Sequence, residues 1–112
     1  MRGSFLYSVK GEKAEMNGQK KKQALFRLGQ VVATPGALEA LEAAGQRPEE
    51  FLSRHVTGDW GEVPPEDAQE NELSVKQGFR ILSAYTLSTS VKIWIITEAD
   101  RSATTLLLPE EY

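Results

Sequence analysis

Three short runs between Phe79 and Leu108 constrain this chain more than any other stretch. They are Phe79–Thr86, Val91–Glu98 and Ala103–Leu108, rich in Ile, Val, Thr, Tyr and Trp. Such side chains fit a pleated surface. The breaks between them, Leu87–Ser90 and Ala99–Ser102, are short enough for hairpin turns. The pattern predicts an antiparallel three-stranded meander. In the middle run, alternation puts Val91, Ile93, Ile95 and Thr97 on one face and Lys92, Trp94, Ile96 and Glu98 on the other. The first face should meet helices. The second, with Leu82, Ala84 and Leu107, should form a half-covered patch around Trp94. That patch is a candidate surface for a partner or for a homodimer, or else a second small core.

Upstream of the meander the punctuation is helical. Leu25 to Ala33 is expected as a strand. Thr34-Pro35 then supplies an N-cap and a first-turn proline, and Gly45 a stop. Pro48 opens a second helix carrying Glu49, Glu50, Phe51, Leu52 and His55. Pro64-Pro65 opens a third, from Pro65 to Gln77, with Gly78 as its stop. The expected class is α+β: an antiparallel sheet in the order β-α-α-α-β-β-β, with its helices packed on one face. The third helix has only Ala68, Leu73 and Val75 as apolar residues, so it should lie wet at the edge.

Charge divides the chain. Residues 1–23 hold six basic and two acidic residues, whereas residues 24–112 hold seven basic and fourteen acidic ones. Residues 1–23 therefore read as a flexible extension, in which Phe5–Val9 could add an edge strand. Residues 24–112 read as one acidic domain, for which direct nucleic-acid binding is not expected because a basic face is missing. No apolar run reaches the roughly 20 residues that span a bilayer, and the N-terminus lacks a signal-peptide layout. With no cysteine, disulfides and thiolate metal sites are excluded. The expectation is a cytoplasmic protein without metal or cofactor.

Three groups could carry chemistry. His55 is the only histidine; Arg54 adjoins it and Asp59 follows four residues later, so the three could form an acid-base pair with an anion-holding arginine. Equally, His55 could simply cap the C-terminus of its helix. Gly58-Asp59-Trp60-Gly61 is a turn in which Asp59 can bond the backbone two residues on. Its Trp60 either plugs the loop onto the core or stacks on a ligand. Glu98, Asp100 and Arg101 share one hairpin and could bind phosphate, assist hydrolysis or hold a divalent ion through oxygen ligands, or they could be a solvated turn with an Asp100–Arg101 bond. No phosphate-binding glycine loop, nucleophile elbow or paired-His motif is present.

Leu28–Leu38, Arg54-His55 with Gly58–Gly61, Leu82–Tyr85 and Val91–Tyr112 together resemble a family of small, uncharacterised bacterial proteins often labelled hypothetical or plasmid-related. The resemblance covers residues 25–112. It brings no activity or cofactor and implies a context of bacterial mobile DNA. Three functions fit these readings. One is a non-enzymatic accessory protein acting through a macromolecular partner, a protein first of all. A small RNase- or phosphoesterase-like enzyme or toxin using His55 is another. The third is an acidic decoy imitating DNA, with Glu62, Glu66, Asp67, Glu70 and Glu72 as its charged face.

Overall fold

The computed structural model describes residues 5–6 and 23–112. Its strands are β1 (Phe5–Leu6), β2 (Gln30–Ala33), β3 (Ile81–Thr86), β4 (Lys92–Thr97) and β5 (Ala103–Leu107). Its helices are α1 (Pro35–Ala44), α2 (Pro48–Val56) and α3 (Pro65–Gln77), and a 3-10 turn, Pro109–Glu111, closes the chain. Residues 1–4 and 7–22, most of the expected flexible extension, lie outside the described residues. Phe5–Leu6 does form an edge strand, paired antiparallel with Val32 and Ala33.

Each helix starts on a proline, whose fixed φ suits the first turn and whose missing N–H costs nothing there. Thr34 Oγ1 accepts from the Ala37 N–H at 3.1 Å and donates to Glu111 Oε1 at 2.5 Å. The N-cap thus ties α1 to the end of the chain. Gly45 and Gly78 stop α1 and α3 in the left-handed conformation.

The meander is antiparallel throughout, with Leu82 opposite Ile96 and Ile96 opposite Thr105. The sheet as a whole is mixed. Its order is β1-β2-β5-β4-β3, and β2 runs parallel to β5. The expected all-antiparallel sheet is therefore corrected. Alternating directions make β3 and β5 parallel to each other. The three helices carry the chain from one side of the sheet to the other, and β3 returns in the direction of β2.

Two further expectations shift. The first body strand starts at Gln30, not Leu25, because Gly29 at φ 65 turns the chain against the β4–β5 hairpin. A Cβ on Gly29 would lie 2.4 Å from the Arg101 carbonyl oxygen. Val91 is exposed in the β3–β4 turn, where its carbonyl accepts from the Leu87 N–H, and does not join the buried face.

The core lies between one sheet face and α1 and α2. It holds Val31, Ala33, Leu41, Phe51, Leu52, Tyr85, Ile93, Ile95 and Leu106. The helix α3 sits at the free edge of β3, so not all helices share one face. Asn71 donates to the Leu82 carbonyl at 2.8 Å and accepts from the Leu82 N–H at 3.2 Å, as a neighbouring strand would. Farther along that edge, Ala84 exchanges backbone bonds with Trp60 and Glu62. A polar helix and a loop thus close an edge that would otherwise invite a second chain.

Candidate functional site

His55 is fully buried at 0% exposure, as are Ser83, Thr97 and Thr104. Its Nδ1 lies 2.6 Å from Ser83 Oγ and its Nε2 2.8 Å from Thr97 Oγ1. Thr97 Oγ1 lies 2.7 Å from Thr104 Oγ1, which donates to the Leu28 carbonyl at 2.7 Å. That carbonyl can only accept, and each hydroxyl has one proton to give. With Thr104 donating to Leu28, Thr97 must donate to Thr104 and accept from Nε2–H. The chain of bonds therefore fixes a proton on Nε2, and in the neutral ring Nδ1 accepts from the Ser83 hydroxyl. Burial first, and then the charge of Arg101, lower the His55 pKa to about 3.

Two aromatic rings close over the imidazole. Phe26 meets it edge-on at 5.2 Å between centroids and Trp60 at 6.1 Å, and the two rings stack on each other at 6.3 Å. The Arg101 guanidinium lies beyond, 5.5 Å from the Phe26 centroid. The solvent-open cleft that the acid-base alternative for His55 requires is absent, and this removes that alternative. A group with no solvent contact and a pKa far below neutral cannot exchange protons with a substrate. Nor does His55 cap its helix as a cation.

Asp59 faces Arg54 instead. Arg54 Nε donates to Asp59 Oδ2 at 2.7 Å, and its guanidinium lies 4.6 Å from the Tyr85 centroid. The Asp59 hydrogen bond comes first among the causes that raise the pKa of Arg54. Asp59 Oδ1 accepts from the Gly61 N–H at 3.2 Å, the turn chemistry expected of this loop. Tyr85 donates from its hydroxyl to the Asp59 carbonyl at 2.6 Å, and burial pushes its pKa up to about 12. Trp60 is the loop's plug, 5% exposed, with Nε1 donating to Glu72 at 2.9 Å. Gly61, at φ 76, bridges to Ala84 so closely that a Cβ would lie 2.0 Å from the Ala84 carbonyl oxygen.

At the β4–β5 hairpin, Arg101 adopts φ 61 and spends its guanidinium on backbone carbonyls. It donates to Phe79 at 2.8 Å, Glu98 at 3.1 Å, Ala99 at 3.2 Å and Ser74 at 2.9 Å. Asp100 bonds the Ser102 N–H at 3.0 Å, not Arg101. Contacts with Ser102 hold its carboxyl below the usual range. Glu98 is exposed. The expected cluster is thus a clasp joining the hairpin to the end of α3.

The Trp94 patch is partly covered. Tyr112 meets Trp94 edge-on at 5.7 Å, and Arg80 donates to the Tyr112 hydroxyl at 2.7 Å. Around Trp94, Ala84, Ile96 and Leu107 are buried. Beyond Arg80, Glu70, Leu73, Ser74 and Phe79 line a groove of about 420 Å³ between α3 and the start of β3. Leu73 and Phe79 are 50% and 53% exposed there. The sequence pattern did not single this groove out. Its signal was two large apolar residues on either side of the Gly78 helix stop.

Of the acidic residues, Glu62 pairs with Lys92 at 3.6 Å and Glu72 holds Trp60. At about 100° per residue, Glu66 and Glu70 share an outer strip of α3 with Leu73, while Asp67 and Glu72 lie off it on opposite sides. Among the described residues, no group of three or more His, Asp or Glu is placed to hold a metal ion. Among them, no helix is long and apolar enough to cross a membrane. A scan against protein-family models found no match, and neither did searches of curated proteins and of solved structures.

Proposed function

We propose that this protein is a binding module that acts through a macromolecular partner, with the α3–β3 groove as its contact surface. One observation carries the reading. Four of the groups that could have served catalysis, His55, Arg54, Asp59 and Arg101, are spent on the fold, while Leu73 and Phe79 stand half exposed beside a groove. His55 is sealed, Arg54 and Asp59 hold each other, and Arg101 is committed to four carbonyls. Apolar side chains gathered at a concave edge are the usual mark of a docking site. The bacterial mobile-DNA setting rests on the family resemblance alone. The acidic-decoy reading loses support because Glu62, Asp67 and Glu72 leave the strip that Glu66 and Glu70 share.

Affinity capture with matched baits tests this reading. Wild-type protein and a Leu73→Ser, Phe79→Ser double variant of equal thermal stability would be compared in extracts of the source cells. The reading expects a partner retained by the first bait and lost by the second. Equal recovery by both, or a hydrolase activity that disappears in a folded His55 variant, would overturn it.

A further inference from the structure

Resting on that binding reading, we infer that the groove takes a protein segment with an apolar anchor flanked by basic side chains. Charge complementarity supplies the argument. Glu66, Glu70 and Leu73 fall at i, i+4 and i+7 on the exposed strip of α3, and Phe79 follows just past the Gly78 stop. Beside this strip Ser74, buried, lines the groove, and Asn71, also buried, turns toward β3. Arg54–Asp59 and Lys92–Glu62 are the ion pairs among the described residues, and neither includes Glu66 or Glu70.

The one cation lining the groove does not neutralise them. Arg80 donates to the Tyr112 hydroxyl, and its guanidinium lies 5.6 Å from that ring's centroid. Arg101 gives its donors to the Ser74 and Phe79 carbonyls, so its charge is committed there. The groove therefore sets two apolar side chains, Leu73 and Phe79, beside the Glu70 carboxylate, with Glu66 one turn farther along α3. A partner's leucine or aromatic side chain fits between Leu73 and Phe79. Lysines or arginines spaced about one helical turn apart would then reach Glu70 and Glu66. An acidic segment would meet like charge at the same two glutamates.

The test uses the full-length, nitrogen-15-labelled protein and three synthetic amphipathic peptides. They share one leucine anchor and carry Lys, Gln or Glu at the two flanking positions. Amide shifts at Glu70, Leu73, Ser74 and Phe79 should respond to the Lys peptide. Its affinity should fall about fivefold to tenfold in a Glu66→Gln, Glu70→Gln variant, and fall again with added salt. Leu73→Ser with Phe79→Ser should abolish binding of every peptide. If the Gln peptide binds the groove as tightly as the Lys peptide, the basic-segment inference is overturned while the binding reading stands. If no peptide shifts these amides up to about 1 mM, or shifts map elsewhere, the inference also fails, and the capture experiment decides the broader reading independently. A change in sedimentation with protein concentration alone would assign the groove to a second copy and overturn the inference.

Discussion

Acid should destabilise this protein through its single histidine, and between pH 7 and 5 few other side chains titrate. In the unfolded chain His55 has the ordinary pKa of 6.5; in the folded chain it is about 3. Between those values only the unfolded chain binds the proton, so the stabilising contribution is complete above pH 6.5 and is lost as pH falls toward 3. At 1.36 kcal/mol per unit, the full effect is about 5 kcal/mol. From pH 7 to pH 5 the loss should be about 2 kcal/mol, equal to roughly 10 °C in melting midpoint for a domain of this size. Urea titrations at half-unit steps measure the slope, and calorimetry in two buffers of different ionisation enthalpy counts the protons. Unfolding at pH 5.5 should take up close to one proton, since the unfolded imidazole is then largely charged and the folded one is not. A stability profile flat across pH 7 to 5, or no proton uptake at pH 5.5, would refute the sealed, neutral His55.

Three substitutions probe the contacts around that core. Trp60→Ala should cost about 3 kcal/mol or more in chemical denaturation, since it empties the plug over His55 and frees Glu72. Gly61→Ala should cost more than about 2 kcal/mol in the same assay, because the new Cβ meets the Ala84 carbonyl and φ 76 disfavours any side chain. Arg101→Gly sets two effects against each other. Relief of the left-handed φ gains about 1 kcal/mol, and loss of four carbonyl bonds, one of them part-buried, removes roughly 3 kcal/mol. A net destabilisation of about 2 kcal/mol is expected, with faster amide exchange at the end of α3; net stabilisation would show the clasp to be idle.

Local signals carried much of the architecture. Pro35, Pro48 and Pro65 marked where the helices begin, Gly45 and Gly78 where α1 and α3 end, and β-branched runs marked the meander. Nothing local states which strand a lone β2 will join, and its parallel pairing with β5 follows from the path of all three helices. The helix α3 looked merely wet because hydropathy does not distinguish solvated polar residues from Asn71, which replaces a strand at the sheet edge. For His55 a signal existed in retrospect. Ser83, Thr97 and Thr104 are hydroxyls on the same sheet face as Ile81, Ile93 and Leu106, where a buried donor or acceptor needs a partner. The nearness of His55 to Arg54 and Asp59 in sequence suggested chemistry. The helical turn instead points the ring inward and its neighbours outward.

The binding claim is tested most directly by site-specific photo-crosslinking inside the source cells. A benzophenone side chain would replace Phe79 in the groove, or Val91 at the far end of the meander as a control. The account predicts a discrete higher-mass adduct from position 79 that position 91 does not give. No adduct from position 79, or the same adduct from both, would contradict it.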